Sequence, residues 1–324
     1  MWEKVRFALL AVCVVAGASL AGCDFEAALQ QLSKIKVPQG EVASISSSTT
    51  RERNPGTITV ASFNIQVFGI SKLKKRKVMD VLAEIVRTFD VVAIQEIRSK
   101  DQSVLPRFVE LVNSDGSQYD YLIGERLGRT SSKEQYAFVF DATRIEIDRQ
   151  SAYTLSDRTD LLHREPFVAR FRTKTQPSDE AFTFTLVNIH TDPDETDQEL
   201  DALDDAFRSV QHNGWREDDV ILLGDLNEDE AHLGELGQVR GIQWVVSGVP
   251  TNTRGSKSYD NILFDSRSTI EHTGRWGVLN FREAYGLTID EALDVSDHFP
   301  VWAEFSSREG GGRLAANPGE SATR

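Results

Sequence analysis

The stretch Asp219-Val220-Ile221-Leu222-Leu223-Gly224-Asp225-Leu226-Asn227 decides how the chain folds and where its chemistry lies. Residues 220–223 form a short apolar run with β-branched residues at its start, which is typical of a buried strand. We expect Gly224 to end that strand. In extended chain Asp225 and Asn227 would point the same way, so the strand end would present a carboxylate beside an amide. Such a pair can bind a hard metal ion, orient a water molecule or hold a phosphoryl oxygen, although Gly, Asp and Asn also favour an ordinary turn.

Polar side chains end or flank other apolar runs of the same kind. The residues are Asn64 after 60–63, Glu96 after 91–95, His190 after 186–189, Asp260 within 259–262, and Asp297 with His298 just before 299–301. A lone Asp or Asn at a strand end is usually structural. Because ligand sites of α/β proteins gather at strand ends, we interpret the whole set as one site.

The composition is that of an ordinary globular protein. The chain has 324 residues, 40% hydrophobic and 27% charged, with a formal net charge of -14. A basic surface for nucleic acid is therefore not evident from the bulk charge. A cleft that carries a metal ion can still bind phosphate locally on an acidic protein.

The N-terminus has the pattern of an export signal. Basic residues precede the apolar run 7–18, which is too short for a comfortable membrane span. The following Leu20-Ala21-Gly22-Cys23 resembles a bacterial lipobox, which implies removal of residues 1–22 and lipidation of Cys23. The protein would then be an exported bacterial lipoprotein, anchored to a membrane on its periplasmic or cell-surface face. The alternative is an ordinary signal peptide with an incidental cysteine. Both cysteines, Cys13 and Cys23, lie in this region, so the rest of the chain can form no internal disulfide.

The remaining chain is predicted to contain one domain. Residues 23–56 are interpreted as the lipidated N-terminus and a flexible tether, 57–305 as the catalytic domain, and 306–324 as a disordered tail. Strands are predicted over 58–64, 90–95, 118–123, 136–140, 144–148, 167–173, 182–190 and 299–305, and helices over 71–88 and 194–212. This mixture favours an α/β (α+β) fold of two packed sheets with helices outside, rather than one doubly wound sheet.

The order of these motifs resembles the endonuclease/exonuclease/phosphatase superfamily, and within it the secreted deoxyribonucleases of the DNase I type. The resemblance rests on Asn64, Gln95-Glu96, His190, Gly224-Asp225-Leu226-Asn227, Tyr259-Asp260 and Ser296-Asp297-His298, and it covers nearly all of 57–305. It implies a DNase I-like four-layer sandwich of two mixed sheets flanked by helices. It also implies a monomeric, metal-dependent endonuclease whose substrate is DNA.

The resemblance implies a role for each matching residue. Glu96 and Asn64 would be ligands of Mg²⁺ or Mn²⁺, with Asp297 nearby, and Asp225 and Asn227 would lie around the scissile phosphate. His190 would pair with Glu134, and His298 with Asp260. Arg98 and Arg164 would contact backbone phosphates. For Arg164 the alternative is a surface ion pair. The loop that contains Asp157, Asp160 and Glu165 resembles a structural Ca²⁺ site, with a solvated acidic loop as the alternative.

The chemistry of these residue types agrees with those roles. A phosphodiester repels hydroxide, so the site must neutralise charge and activate water. Mg²⁺ prefers oxygen ligands, which Glu96, Asn64 and Asp297 offer. A carboxylate bonded to an imidazole fixes its tautomer, and two such pairs can supply a base and an acid.

Two positions depart from the pattern of the DNA-cutting members. Gln66 stands where they have an arginine, and Ser132 where they have an aromatic residue that enters the minor groove. Both changes weaken the expected binding of duplex DNA. One alternative is therefore a phosphodiesterase with another substrate, either RNA or, as for the sphingomyelinases, phospholipid head groups. Another alternative is a non-catalytic surface-binding lipoprotein.

Overall fold

The apolar runs form two six-stranded mixed sheets in the computed structural model, which describes residues 53–130, 132–214 and 217–311. The first sheet has the order β11-β12-β1-β2-β4-β3. Its strands are β1 (Thr57–Phe68), β2 (Val91–Ile97), β3 (Tyr119–Ile123), β4 (Gln135–Asp141), β11 (His272–Val278) and β12 (Val301–Ser306).

The second sheet has the order β5-β6-β7-β8-β10-β9. Its strands are β5 (Ile145–Thr154), β6 (Phe167–Thr173), β7 (Thr183–His190), β8 (Val220–Asp225), β9 (Ile242–Trp244) and β10 (Asp260–Asp265). Each sheet has one parallel pair at its centre, β1 with β2 and β7 with β8, and its other pairs are antiparallel.

Strand alternation sorts side chains between the sheet interface and the helices. In β7, Leu186 belongs to the core between the sheets, whereas Val187 and Ile189 belong to a second core. In that second core they meet Leu203 and Phe207 of a helix. Because successive strand residues point to opposite faces, Asn188 and His190 point with Leu186 toward the first sheet.

The helices cover the outer faces of both sheets. They are α1 (Ile70–Leu73), α2 (Arg76–Val86), α3 (Val104–Val112), α4 (Thr196–Gln211), α5 (Phe281–Ala284) and α6 (Ile289–Val295). The first-sheet side holds α2 and α3, where Phe108 meets Phe68 edge-on at 5.3 Å. The second-sheet side holds α4. The predicted four-layer sandwich is confirmed.

Several predicted boundaries differ from the structure. The helix predicted over 71–88 divides into α1 and α2 around two lysines. β8 runs through Gly224 rather than ending there, because this glycine lets β8 approach β7. A Cβ at Gly224 would lie 1.8 Å from the carbonyl oxygen of Ile189.

The predicted disordered tail begins too early. β12 includes Ser306, and the amide of Phe182 donates to the carbonyl of Ser307, which is fully buried. Residues 306–311 are therefore part of the folded domain. Residues 312–324, the predicted signal, Cys23 and most of the predicted tether lie outside the described residues. Within the described residues no helix is both long and apolar enough to cross a membrane.

Candidate active site

The polar strand ends meet at one end of the sandwich. The parallel strands β1, β2, β7 and β8 bring Asn64, Glu96, His190 and Asp225 there at or near their C-terminal ends. The antiparallel strands β10 and β12 reach the same end with their starts, so Asp260 and His298 join the group. In the second sheet Asp225 is in register with His190 on one side and Asp260 on the other.

His190 is held by a buried carboxylate. Its Nδ1 lies 2.8 Å from Oε1 of Glu134, and its Nε2 lies 3.5 Å from Oδ2 of Asp225. Burial lowers the pKa of His190, but Glu134 and Asp225 outweigh this effect and hold it above its usual value. Nδ1–H of His190 donates to the Glu134 carboxylate, which leaves Nε2 facing the site.

His298 is held in the same way from the other side. Its Nδ1 lies 2.8 Å from Oδ2 of Asp260, and its Nε2 lies 3.4 Å from Oδ2 of Asp225. Burial opposes protonation of His298, but Asp260 and Asp225 raise its pKa well above the usual value. The hydroxyl of Thr251 donates to the same Asp260 oxygen over 2.6 Å, which fixes the carboxylate behind the ring.

Asp225 therefore lies between two imidazoles. It is 1% exposed, and the Asn64 amide donates to its Oδ2 over 2.9 Å. Burial favours its protonated form, but His298 and His190 lower the pKa of Asp225 and keep it anionic. The arrangement places one negative charge between two proton-carrying groups.

The bend of β2 turns Glu96 toward Asn64. Its backbone has a φ of 63° at a register shift in the β2–β4 ladder. Oε1 of Glu96 accepts from the Asn64 amide at 3.3 Å, and Oε2 accepts from the Val67 amide at 2.7 Å. Gln66, Val67 and Asn227 also have positive φ, so the local strain of the described chain concentrates around this site.

The oxygens at the Glu96 side fit a hard divalent cation. Asp297 has a buried Oδ1 without a hydrogen-bond partner among the described residues, while its Oδ2 accepts from the Gln66 amide at 2.8 Å. An unpartnered buried carboxylate oxygen is costly unless a cation or water completes it. Glu96, Asp297 and Asn64 would supply the oxygen ligands that Mg²⁺ or Mn²⁺ prefers.

The two predicted phosphate-binding arginines have different surroundings. Arg98 is partly exposed, with Nε 3.1 Å from Glu96, and it donates to the Ser132 hydroxyl. Arg164 is only 4% exposed; its Nε lies 3.1 Å from Glu134 and also donates to the carbonyl of His190. Its placement favours orienting the Glu134–His190 pair over the predicted contact with a backbone phosphate, and it is not the surface ion pair of the alternative interpretation.

Asn227 borders the site without lying parallel to Asp225. The chain turns after β8, and Asn227 has a φ of 54°, so the i and i+2 side chains are not related by extended geometry. Its side-chain amide (Nδ2) donates to the carbonyl of Thr191 at 2.9 Å, and its backbone amide donates to Asp225 at 3.1 Å. The sequence-based expectation of a strand-like pair is corrected to a turn that closes over Asp225.

The acidic loop predicted to bind calcium does not gather its carboxylates. Asp157 accepts from amides of its own loop, including that of Leu162 at 2.7 Å. Asp160 is exposed and pairs with Arg129 at 3.3 Å. Within the described part of the chain these two and Glu165 form no metal-binding cluster.

Sequence reasoning missed the polar groups that support the site. Asn188 accepts from Gln95 at 2.6 Å across the sheet interface, and the amide of His190 donates to the Tyr136 hydroxyl at 3.0 Å. Buried Lys72 donates to the carbonyls of Ile65 and Val295, at 2.7 and 2.8 Å, and so joins β1 to the end of α6. The only sequence signal for Asn188 was its place on the same strand face as Leu186 and His190. Lys72 gave no signal, because it lies in a lysine-rich stretch that is typical of a protein surface.

Comparison with known proteins gives consistent results. Residues 61–298 match the Endonuclease/Exonuclease/phosphatase family. The chain is 36% identical to deoxyribonuclease-1-like 1 of Cricetulus griseus over 259 residues, covering 76% of this chain and 83% of that protein. It is 31% identical to human deoxyribonuclease gamma over 260 residues, covering 75% and 84%. A mannosyl-6-phosphatase of Bacteroides thetaiotaomicron shares the fold at 20% identity, with a TM-score of 0.55 and coverage of 76% and 98%.

Proposed function

The chain belongs to the endonuclease/exonuclease/phosphatase family, with DNase I-like relatives, and from this premise we propose that it is a metal-dependent endonuclease that hydrolyses DNA. The family and these relatives make it a hydrolase of phosphodiester bonds. The DNA substrate, the metal requirement and the membrane tether are the proposed parts.

The observation that carries the proposal is the placement of two carboxylate-backed imidazoles on one anion. Nε2 of His190 and Nε2 of His298 lie 3.5 and 3.4 Å from Oδ2 of Asp225. Displacement at phosphorus needs a base that removes a proton from water and an acid that protonates the departing sugar oxygen. Two imidazoles whose Nδ1 atoms are occupied by carboxylates can do both through Nε2.

The balance of the reaction follows from these groups. Water loses a proton to one imidazole while its oxygen forms the new bond to phosphorus. The bond from phosphorus to the sugar oxygen breaks. The second histidine ring, in its charged imidazolium form, gives its proton to that oxygen. Glu134 and Asp260 support the charge on each ring, at 2.8 Å in both cases.

Glu96, Asp297 and Asn64 would hold the divalent cation. A cation bound there would neutralise phosphoryl charge and favour attack by water. Two hydrogen bonds orient these carboxylates. The side-chain amide of Gln66 donates to Asp297 at 2.8 Å, and the backbone amide of Val67 donates to Glu96 at 2.7 Å.

Two features support DNA as the substrate. The relatives at 31–36% identity are named deoxyribonucleases. Arg98 is 33% exposed at the side chain beside Glu96, where its guanidinium can reach a neighbouring phosphate. Gln66 donates to Asp297, and Ser132 accepts from Arg98, so neither side chain is free to contact the minor groove of DNA. We therefore expect weak sequence preference.

The proposal also includes a monomeric enzyme tethered to a bacterial membrane by lipid on Cys23. The support is the Leu20-Ala21-Gly22-Cys23 pattern and the stretch 23–56 between it and the catalytic domain. We expect Cys23→Ser to give an unprocessed or soluble protein in cell fractionation. Membrane association of correctly processed Cys23→Ser would contradict the tether.

The activity is tested with the purified chain on three substrates. Supercoiled plasmid, single-stranded RNA and sphingomyelin vesicles are each incubated with Mg²⁺, with Ca²⁺ and with a chelator. We expect nicking of the plasmid with Mg²⁺ and loss of it in chelator. Cleavage of sphingomyelin or RNA with intact plasmid would replace DNA as the substrate, and no cleavage of any would favour the binding-protein interpretation.

A further inference from the structure

A second cluster of acidic side chains lies at the end of the sandwich away from the catalytic site. Asp219 immediately precedes β8, whereas Asp225 ends it. Six residues of strand at about 3.3 Å each separate the two aspartates by about 20 Å. The cluster therefore belongs to a different part of the surface.

Its members come from three separate segments. Asp219 precedes β8 of the second sheet, Glu271 precedes β11 of the first sheet, and Glu309 follows β12 in the last described segment. One carboxylate oxygen from each lies within 4.8 Å of the others. Glu217 is adjacent to the cluster, since its Oε1 accepts from the Asp219 amide at 3.0 Å.

Two of the carboxylates have an oxygen that nothing satisfies. Asp219 is 2% exposed and Glu271 is 1% exposed. Among the described residues, Oδ1 of Asp219 and Oε2 of Glu271 are buried without any hydrogen-bond partner. Buried carboxylate oxygens in native proteins are almost always paired or bound to a metal ion, so the two mark a position that a cation can fill.

The charge balance shows that the cluster needs a neutralising partner. Burial, and after it the charges of Glu271, Glu309 and Glu217, raise the pKa of Asp219 to about 9. The pKa values of Glu271 and Glu309 are also raised, first by burial. Like charges held this close in a buried position need either a shared proton or a cation.

We propose that Asp219, Glu271 and Glu309 bind a calcium ion that ties the last described segment to both sheets. Two oxygens bound to one Ca²⁺ at about 2.3–2.6 Å cannot be more than about 5 Å apart, which matches the spacing of this cluster. Ca²⁺ accepts several carboxylates and backbone carbonyls, whereas Mg²⁺ keeps most of its waters and suits such a cage less well.

The ion would reinforce contacts that already close this end of the molecule. The Gly310 amide donates to Oε1 of Glu271 at 2.6 Å, and the Thr183 amide donates to Glu309 at 3.2 Å. The segment 306–311 thereby joins β12 of the first sheet to β7 of the second. Loss of the ion would loosen this segment and lower the stability of the whole chain without touching the catalytic groups.

The test is thermal unfolding and isothermal titration of the full purified chain with CaCl₂ as the only added ligand, after treatment with chelator. We expect saturating CaCl₂ to raise Tm by about 5 °C, the scale for a ligand near 100 times its Kd in a domain of this size. Glu309→Gln changes an exposed residue and should fold; it should lose most of that shift. Glu271→Gln should lose it too, while raising Tm in chelator because one charge is removed.

Three controls assign the ion to this cluster. Glu96→Gln removes a carboxylate at the catalytic site, and Asp160→Asn removes one from the acidic loop 157–165. Glu180→Gln changes a half-buried glutamate whose backbone carbonyl accepts from the Glu309 amide. All three should keep the shift. A flat Tm and no heat of binding up to 10 mM CaCl₂, about ten times the Kd of the weakest protein calcium sites, would overturn the proposal in favour of a shared proton. So would a shift lost in Glu96→Gln or Asp160→Asn and kept in Glu309→Gln.

Discussion

Asn64 of β1 donates its side-chain amide to Asp225 of β8 over 2.9 Å, and this bond joins the two sheets inside the catalytic site. The same amide also lies 3.3 Å from Glu96. One neutral donor thus separates two carboxylates that would otherwise repel. The catalytic geometry therefore depends on how the two sheets pack.

Asn64→Ala tests that dependence. Removal of this buried donor takes one hydrogen bond from each carboxylate, so we expect a loss of about 1–3 kcal/mol in the free energy of unfolding. Displaced groups should lower kcat about 10²-fold. Urea unfolding and plasmid nicking measure the two effects. Asn280→Ala is the control, because Asn280 only caps α5 and should leave kcat unchanged; an Asn64→Ala protein with normal kcat would contradict the bridging role.

Glu134→Gln should shift the pH dependence of the rate. Despite its burial, His190 has a raised pKa because Glu134 and Asp225 favour its charged form. A neutral glutamine removes part of that effect, so the limb of the kcat/KM profile that reports His190 should move to lower pH. Movement of the acid limb identifies His190 as the base, and movement of the basic limb identifies it as the acid.

Asp260→Asn is the matched partner and should move the opposite limb, because His298 depends on Asp260 in the same way. Profiles measured with Mg²⁺ on plasmid would show both shifts. If neither variant moves either limb, the two imidazoles do not exchange the protons of the reaction.

Gln66→Arg with Ser132→Tyr should improve binding of duplex DNA. An arginine at 66 can still donate to Asp297, which Gln66 does now at 2.8 Å, and it adds a charge near the phosphates. We expect a lower KM on duplex and a steeper dependence on salt. Gln238→Arg adds the same charge at an exposed distant position and should change neither; an equal gain in that control would reduce the effect to bulk charge.

His272 should make stability sensitive to acid. Burial lowers its pKa to about 4, and the ring lies 5.1 Å from that of Phe264. The unfolded chain binds the proton near pH 6.5, so the contribution of His272 is present above about 6.5 and is lost as pH falls toward about 4. His272→Leu should flatten urea midpoints across that range. The exposed His212→Leu should not, and an unchanged slope in His272→Leu would contradict a neutral, partly buried ring.

The sequence predicted the parts of the site that lie on regular strands. The inward alternation of β7 and β8 brings His190 and Asp225 to one face, and the histidine–carboxylate pairs were expected from the resemblance. The position of Glu96 was not predictable in detail, because its φ of 63° arises from a bulge that tertiary packing stabilises. The burial of Arg164 was not predicted for a related reason: an arginine in a loop is normally exposed, whereas this one pairs with Glu134.

The missed elements had weak local signals. β11 (His272–Val278) contains two glycines and exposed charge, so it does not alternate like a strand, and its pairing with β12 creates it. α3 (Val104–Val112) has Pro106 in its first turn, which a helix tolerates there but which obscures the periodicity. The cluster of Asp219, Glu271 and Glu309 joins segments far apart in sequence, which no local pattern reveals.

The most direct test of the central claim compares His298→Ala and His190→Ala with His232→Ala. His232 also pairs with a carboxylate, Asp229 at 2.7 Å, but its side chain is 68% exposed and has no contact with Asp225 among the described residues. We expect kcat for plasmid hydrolysis to fall about 10²–10⁴-fold in each of the first two variants, with Tm and Mg²⁺ affinity retained, and to stay unchanged in the third. Near-normal hydrolysis by a folded His298→Ala protein would contradict acid–base catalysis by this pair.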